Sequence, residues 1–274
     1  MNKYKWCICD MDGTLLNSQD IITEENVKAL KKLQQSGTEV MIASGRLDLM
    51  VKRYIHQLDL RGHVIACNGG LIRNIKTNEI VYSNAMDHNI VEDILTFCIE
   101  ENINFLLYTA DVVFSNRNNP RLLRYEEMNR SIDNSLRFEV NYLDDTVMEV
   151  IKDIDVLKVL LICDNQEQVG YLIDKFSQID KLTVVSSAKD LVDIMASNTS
   201  KGKAITVLAE KLKVKLEDVI AFGDNYNDMD LLQSVGMPIA MENAVEELKT
   251  EAKYITKSNE ESGVAYAINN YILR

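Results

Sequence analysis

The sequence predicts an α/β fold: a core built on a parallel sheet, with an α+β domain inserted into it. Two observations predict the core. Short apolar runs alternate with helical patterns over residues 5–67, and the same alternation returns from residue 201 to the end. Strand–helix–strand order of this kind requires parallel strands joined by right-handed crossovers. The less regular stretch between them predicts the insert, so we assign 1–84 and 195–274 to the core and 85–194 to the inserted domain.

The first core segment alternates three predicted strands with two predicted helices. The strands are short apolar runs, and the helices carry apolar residues three and four positions apart. Gly37 follows the first helix, as is typical of a helix C-terminus. Asn68-Gly69-Gly70 then interrupts the rhythm before a predicted hairpin. In order, the elements are Lys5–Cys9, Thr23–Ser36, Val40–Ala43, Leu47–Leu60, Val64–Cys67, and the hairpin strands Leu71–Arg73 and Glu79–Tyr82.

The inserted region mixes helices and strands without regular alternation, which predicts a separate α+β unit. Its strongest strand signal is Val156–Cys163. The other predicted elements are helices Ile90–Ile99 and Val169–Phe176, and strands Phe105–Tyr108, Val112–Phe114, Leu182–Ser186 and Leu191–Met195. The core then resumes with helix Ala204–Leu212, strand Val219–Phe222, helix Met229–Val235, strand Pro238–Met241, helix Val245–Ala252, strand Tyr254–Thr256 and helix Val264–Ile272.

Composition restricts the partners and the compartment. The 274 residues include 30 basic and 42 acidic side chains, a net charge of −12 that argues against nucleic acid and against anionic membrane surfaces. A chain with this negative charge can bind a phosphorylated small molecule only at a site that is locally positive. The five cysteines lack CxxC spacing, which favours reduced thiols. The N-terminus has no signal-peptide pattern and no apolar run is long enough to span a bilayer, so the sequence predicts a cytoplasmic protein.

The first candidate site is Asp10-Met11-Asp12-Gly13-Thr14, directly after the first strand. Loops at the carboxyl ends of parallel strands form the ligand crevice. Two carboxylates two residues apart, followed by a glycine, can face one pocket. One carboxylate can then act as a nucleophile while the other transfers protons. Taken alone, the motif is also compatible with a polar, aspartate-rich loop.

Three further motifs accompany it. Ser44-Gly45-Arg46 opens a helix, where a hydroxyl and backbone amides can bind an anion, although an ordinary serine cap has the same pattern. Asp224 and Asp228 offer hard oxygen ligands suited to Mg²⁺, although an Asp/Asn-rich turn has the same pattern. Lys201 starts a helix, a position where most lysines are solvated. All four motifs fall at strand-to-helix transitions, where we expect a parallel sheet to gather its loops.

Together, the four motifs resemble those of the haloacid dehalogenase superfamily, and specifically Cof-type phosphatases with a large α/β cap of type IIB. The resemblance implies a Rossmann-like core with residues 85–194 as an inserted α+β cap. The matching positions are Asp10–Thr14 in the first motif, Ser44 in the second, Lys201 in the third, Gly223–Asp228 in the fourth, and the later stretches Gly236–Ala244 and Thr256–Ala265.

The same resemblance implies roles for individual residues. Asp10 attacks phosphorus to form an aspartyl-phosphate, and Asp12 serves as acid and base. Mg²⁺ is held by the Asp10 carboxylate, the Asp12 carbonyl and Asp224, with Asp228 acting directly or through water. The implied substrate is a small phosphorylated metabolite: a sugar phosphate, a nucleotide or a phosphorylated cofactor. The implied phosphate contacts are Met11, Ser44, Gly45, Lys201 and Asn227, with Arg46 as a substrate contact.

Other reactions use the same chemistry. A phosphomutase or phosphotransferase would pass the phosphoryl group to a sugar instead of water, and the motifs do not separate the two. A non-enzymatic phospho-aspartate signalling domain would be much shorter. A degenerate binding protein would be expected to lose Asp10 or Asp12. Asp12 also favours a phosphatase over a dehalogenase, because halide departure needs no acid. We expect the insert to pack above Asp10 and recognise the rest of the substrate, with hinges near Asn84 and Ser197.

Overall fold

The computed structural model describes residues 3–116, 119–130, 132–143 and 147–273. The chain forms two compact units, one containing Met1–Tyr82 and Ser200–Arg274, the other Ser83–Thr199. The divisions fall at 82/83 and 199/200, compared with the expected 84/85 and 194/195. The α/β class with a parallel sheet in the core is confirmed.

Strands and helices alternate through most of the chain. The strands are β1 (Trp6–Cys9), β2 (Glu39–Ala43), β3 (His63–Ala66), β4 (Leu71–Asn74), β5 (Ile80–Ser83), β6 (Asn104–Tyr108), β7 (Val113–Asn116), β8 (Val140–Leu143), β9 (Lys158–Ile162), β10 (Leu182–Ala188), β11 (Leu191–Ala196), β12 (Val219–Gly223), β13 (Met237–Ala240) and β14 (Tyr254–Ile255). The helices are α1 (Glu24–Gln35), α2 (Asp48–Gln57), α3 (His88–Glu100), α4 (Pro120–Arg130), α5 (Val147–Val150), α6 (Gln166–Phe176), α7 (Lys201–Leu212), α8 (Met229–Ser234), α9 (Glu246–Glu251) and α10 (Gly263–Ala267).

The sheet of the first unit has the strand order β14-β13-β12-β1-β2-β3-β4-β5. From β14 to β3 neighbouring strands are parallel, and β4 turns back antiparallel to β3. The carboxyl ends of β12, β1 and β2 are therefore adjacent along one edge of the sheet. This adjacency brings together loops that are far apart in the sequence.

The central strands are apolar because both faces of the sheet are covered. All four residues of β1 are buried, as expected for a parallel strand between layers of helices. Helix α1 contributes Ala29, Leu30 and Leu33, which repeat at helical spacing on its buried side. Thr23 caps this helix by accepting a hydrogen bond from the Asn26 N–H. The predicted helix over 23–36 therefore includes both of its cap residues.

The second unit is built on a separate sheet with the strand order β10-β11-β9-β6-β7-β8. All neighbours are antiparallel except β7 and β8, which are parallel. One face packs against α3 and α6 through a buried cluster that includes Leu95, Phe105, Val159, Leu172 and Ile194. Strand β8 is not predicted from the sequence, because only Leu143 of its four residues is buried and the strand has no apolar alternation.

Three smaller features of the chain bear on the sequence predictions. The predicted helix Val264–Ile272 begins as α10 and continues from Ile268 to Ile272 as a wider π-helical turn. All five cysteines lie in the described part of the chain and are buried. Within the described ranges, no helix is both long and apolar enough to cross a membrane.

The packing of α1 gives a direct test of the core. Leu30 is fully buried, so Leu30→Ala should lower the free energy of unfolding by about 2–5 kcal/mol through lost contacts and a residual cavity. Urea titration followed by tryptophan fluorescence reports on this unit alone, because Trp6 in β1 is the only tryptophan. Lys31→Ala, at an exposed neighbouring position, is the control. Equal effects from the two substitutions would contradict the assigned core face of α1.

Candidate active site

The candidate site lies where three neighbouring parallel strands end. Asp10 follows β1, Ser44 follows β2 and Asp224 follows β12. Sheet hydrogen bonding continues into two of these loops: the Asp10 N–H donates to the Phe222 carbonyl at 3.1 Å, and the Ser44 N–H donates to the Ile65 carbonyl at 2.9 Å. The backbone of the sheet thus fixes where the loops that carry these side chains begin.

Lys201 reaches the site by a different route from the one expected. The strand before it, β11, belongs to the sheet of the second unit, so Lys201 does not follow a strand of the parallel sheet. It is the first residue of α7, whose cap, Ser200, accepts a hydrogen bond from the Lys203 N–H. The Lys201 side chain is fully buried, and its Nζ lies 2.5 Å from Asp10 Oδ1 and 2.6 Å from Asp228 Oδ1.

The centre of the site carries more negative than positive charge. Burial raises the pKa of Asp10 well above its ordinary value; Lys201 opposes this shift, while the carboxylates of Asp228 and Asp224 add to it. Burial, with Asp228, also raises the pKa of Asp224 to about 7. Burial alone would lower the pKa of Lys201, but Asp10 and Asp228 raise it, so the ammonium stays charged. Asp10 and Asp228 are buried and Asp224 is half-buried, and one ammonium does not compensate three carboxyl groups when all of them are ionised.

This donor set fits a hard divalent cation. Oxygen atoms of Asp10, Asp224 and Asp228 all lie within 4.8 Å of one another. Oxygen-only ligation by carboxylates is typical of Mg²⁺ and not of softer metals, which favour sulfur or imidazole. The three side chains differ in what else they bind. Both oxygens of Asp228 are used within the protein, one by Lys201 and the other by the N–H groups of Asp224 and Asn225.

The loop after β1 touches the loop after β12 directly. Thr14 Oγ1 donates to Asp224 Oδ1 at 2.7 Å. Gly13 has a φ of +84°, and a Cβ at this position would lie 2.3 Å from Asp224 Oδ2. Any larger residue would therefore be strained and would push against the carboxylate. The glycine of the first motif thus serves the close approach of the two acidic loops.

Asp12 and Arg46, for which the sequence suggested separate roles, form an ion pair. The Arg46 guanidinium donates to the Asp12 carboxylate through Nε at 2.9 Å and also through Nη2. Nη2 donates to Asp20 as well, at 3.1 Å. The Asp12 side chain is 57% exposed and that of Arg46 20% exposed. Unlike Asp10, Asp12 is therefore accessible to solvent, and its carboxylate direction is set by Arg46.

The expected phosphate contacts lie around these acidic residues. Ser44 is buried, and its Oγ accepts a hydrogen bond from the Arg46 N–H at 3.1 Å. Met11 is buried, and its carbonyl accepts from the N–H groups of Leu15 and Leu16, which folds the first loop into a turn. Asn227 Nδ2 donates to Asn68 Oδ1 at 3.2 Å, a contact that the sequence motifs do not predict.

The later sequence stretches Gly236–Ala244 and Thr256–Ala265 each donate one asparagine hydrogen bond to the loop after β1. Asn243 Nδ2 donates to the Gly13 carbonyl at 2.8 Å, and Asn259 Nδ2 donates to the Leu16 carbonyl at 2.9 Å. Asn243 Oδ1 also accepts a hydrogen bond from the Asn259 N–H, which connects the two asparagines. Both asparagines lie in the stretches that matched the Cof-type pattern, so the sequence identified the segments but not what these side chains do. They hold the loop that carries Asp10 and Asp12.

Known proteins are similar to this chain in sequence and in fold. Residues 7–268 match the family of haloacid dehalogenase-like hydrolases. The chain is 30% identical over 282 residues to 5-amino-6-(5-phospho-D-ribitylamino)uracil phosphatase YwtE of Bacillus subtilis, covering 97% of this chain and 98% of that protein. A solved haloacid dehalogenase-like hydrolase from B. subtilis has a TM-score of 0.85 at 28% identity, covering 98% and 100% of the two chains. The subclass IIB sugar phosphatase BT4131 shares the fold, with a TM-score of 0.79 at 21% identity over 97% and 98%.

These similarities extend over almost the whole length of both chains in each comparison. They confirm the resemblance that the four sequence motifs indicated, and they agree with a mixed α/β fold that has a parallel sheet in its core. The chain therefore belongs to the haloacid dehalogenase-like hydrolases and is a phosphatase of their Cof-type subfamily.

Proposed function

We propose that the protein hydrolyses a small phosphorylated metabolite with Mg²⁺, through a phosphoryl group carried on Asp10. The observation that supports this most strongly is the Asp10 carboxylate, which is buried in an acidic cluster with its Oδ1 2.5 Å from Lys201 Nζ. A buried carboxylate beside a fixed ammonium is held in one orientation. Such an oxygen can attack phosphorus without first losing a shell of water.

The reaction has two balanced steps. In the first, an Asp10 oxygen bonds to phosphorus, the bond from phosphorus to the leaving oxygen breaks, and Asp12 protonates that oxygen. In the second, Asp12 takes a proton from water, the water oxygen bonds to phosphorus, and the bond to Asp10 breaks to release inorganic phosphate. The exposure of Asp12 suits this role, because its carboxyl group must meet both the leaving alcohol and the incoming water.

Charge repulsion is the main obstacle. A carboxylate about 4 Å from one unit of phosphate charge is repelled by roughly 4 kcal/mol at an effective dielectric constant of 20. Lys201 offsets part of this, and a divalent cation supplies the remaining positive charge when bound. We assign Asp10, Asp224 and the Asp12 carbonyl to holding the cation. Asp228, whose oxygens are already used, fixes Lys201 and the Asp224 loop and supports the ion indirectly.

Phosphate oxygens are held by groups from three loops. We assign this role to the N–H groups of Met11 and Gly45, the Ser44 hydroxyl, Lys201 and the Asn227 amide. Arg46 contributes in a second way. The Asp12 carboxyl group is held by the guanidinium in this structure and must reach the leaving oxygen in the proposed reaction, so we expect the Asp12–Arg46 pair to separate when substrate binds. The guanidinium released in this way contacts an anionic or polar group of the substrate.

The proposed substrates are phosphate monoesters of sugars, sugar alcohols, nucleotides or related cofactors. One relative is named for a phosphorylated ribitylamino compound, and one protein of the same fold is described as a sugar phosphatase. We propose that the inserted domain recognises the non-phosphate part. A phosphomutase would not release phosphate, so equal rates of alcohol and inorganic phosphate release separate hydrolysis from transfer.

Asp10→Asn tests the nucleophile. It keeps the shape of the side chain but removes the attacking charge, so kcat should fall by about a thousandfold or more. Circular dichroism and thermal unfolding should show an intact fold. Asp59→Asn is a matched control, because Asp59 is exposed and its φ of +51° is one that asparagine tolerates. Near-normal turnover by a folded Asp10→Asn enzyme would refute the assignment.

Asp12→Asn tests the proton transfers separately from the attack. The leaving group of an activated aryl phosphate departs without protonation. The phosphoryl group of such a substrate should therefore still be transferred to Asp10 in this variant. Hydrolysis of the resulting acyl phosphate should be slow, because no base remains to activate water. Intact-protein mass spectrometry should therefore find a species one phosphoryl group heavier than the variant. Unimpaired steady-state turnover with no such species would rule out the acid–base role.

The acidic cluster predicts how metal and pH act on stability. The pKa of Asp224 is raised from an ordinary value of about 3.9 to about 7. The folded form thus binds more protons than the unfolded form between these values, so metal-free protein should lose stability as pH rises from about 4 to about 7. At pH 7.5, Mg²⁺ at a hundred times its Kd should raise the melting temperature by about 5 °C or more.

Thermal unfolding with and without Mg²⁺, across this pH range, checks both statements. Asp224→Asn should reduce the pH dependence of the metal-free protein, leaving the part that Asp10 contributes, and should weaken the stabilisation by Mg²⁺. Asp59→Asn should behave as the unmodified protein does. If Asp224→Asn and Asp59→Asn responded alike to Mg²⁺, the ligand assignment would be wrong.

A further inference from the structure

We propose that Asn68, in the turn Cys67–Gly70 after β3, is a positioning residue for phosphate binding: it sets the direction of the Asn227 amide and the place of Gly45. The inference rests on the proposed function, since it takes Asn227 and Gly45 as phosphate contacts. The sequence shows this turn only as an interruption between a strand and a hairpin, and the catalytic motifs do not include it.

The turn has an unusual backbone. Three consecutive residues have positive φ: Cys67 at 50°, Asn68 at 54° and Gly69 at 100°. Glycine adopts this region freely and asparagine is among the more tolerant residues, but cysteine is disfavoured there. A run of such residues persists only where the surrounding structure requires it, and such strain clusters at functional sites. The contacts of the turn show what requires it.

The turn lies against two of the loops that carry site residues. The Cys67 N–H donates to the Arg46 carbonyl at 3.0 Å, and the Asn68 N–H donates to the Ser44 carbonyl at 2.9 Å. On its other side, a Cβ at Gly69 would lie 2.1 Å from the Ser200 carbonyl oxygen, immediately before Lys201. The left-handed path thus lets the backbone pass between the Ser44 loop and the start of α7.

The side chain of Asn68 reaches the third loop. It is 3% exposed, and its Oδ1 accepts a hydrogen bond from Asn227 Nδ2 at 3.2 Å. The same Oδ1 would lie 2.9 Å from a Cβ at Gly45, so Asn68 also closes the space beside that residue. An amide nitrogen carries two hydrogens. Because one of them is donated to Asn68, the direction of the other is fixed, and it can be offered to a phosphate oxygen.

This arrangement predicts an effect on binding more than on the chemical step. Asn68 acts through Asn227 and Gly45, which hold the phosphate in the ground state and the transition state alike. Loss of such uniform binding raises KM with little change in kcat. A purely structural role would instead lower the melting temperature and the fraction of active enzyme, without changing KM.

Asn68→Gly is the informative substitution, because glycine accepts the left-handed backbone while the side chain is removed. We expect KM and the inhibition constant of inorganic phosphate to rise together by about tenfold, with kcat within about threefold of the unmodified enzyme. Asn102→Gly is the matched control: Asn102 also has a φ of 54°, is exposed and lies in the second unit, and its substitution should change neither constant.

The pathway through Asn227 is tested by a double-mutant cycle. Asn227→Ala should raise the same two constants, and adding Asn68→Gly to it should have less than its full effect, because the two residues act as one contact. Independent, multiplicative effects would overturn the proposal, and so would an unchanged KM and phosphate inhibition constant in a folded Asn68→Gly enzyme. If Asn68→Gly fails to fold, Asn227→Ala decides: unchanged constants would mean that Asn68 positions nothing needed for phosphate binding.

The outcomes for Asp10 and Asn68 are separable. An inactive Asp10→Asn enzyme together with normal phosphate binding by Asn68→Gly would refute the role of Asn68 alone. An active Asp10→Asn enzyme would refute the proposed function, whatever Asn68 does.

Discussion

The contact on which the rest of the site depends is the buried ammonium of Lys201 between two carboxylates. Its Nζ lies 2.5 Å from Asp10 and 2.6 Å from Asp228, residues 191 and 27 positions away in the sequence. A lysine without solvent exposure is tolerated only if it is paired, and loss of one partner leaves an uncompensated charge. The loop after β1, the start of α7 and the loop after β12 must therefore come together as a set. The parallel order β12-β1-β2 makes this closure geometrically simple.

The charges in this cluster do not cancel, because the carboxyl groups outnumber the single ammonium. This excess of negative charge makes the site suited to binding a cation. Two carboxylates would neutralise Lys201 and leave a net negative charge, and Asp224 adds a third carboxyl group whose pKa burial raises to about 7. A core selected only for stability would replace these groups with apolar side chains. In the proposed function, retaining them favours the binding of a divalent cation, whose charge lets a phosphate approach Asp10.

The sequence predicted the parts of this structure that depend on local patterns. Periodicity identified β1, α1, β2 and α2, and short motifs identified Asp10, Ser44 and Asp224, because each follows directly from a strand end. The prediction that Lys201 follows a strand of the parallel sheet is wrong, because no local pattern shows that β11 pairs in a different sheet. The Asp12–Arg46 pair and the contact of Asn68 with Asn227 were equally invisible. These contacts join residues 34 and 159 positions apart, and a side chain's partner across such distances depends on how the sheet closes.

The chain returns from the insert directly beside Lys201, and contacts within the first unit hold this return point in place. The chain leaves that unit after Tyr82 and returns at Ser200, only one residue before the lysine that must stay within hydrogen-bonding distance of Asp10. A displacement of the backbone at Ser200 would otherwise move the Lys201 ammonium. Two contacts oppose this. Ser200 caps α7 through the Lys203 N–H, and the Ser200 carbonyl packs against Gly69 in the left-handed turn after β3. The turn that contacts the Asn227 amide therefore also packs beside Lys201, so in the proposed function phosphate binding and the alignment of Asp10 depend on the same strained segment.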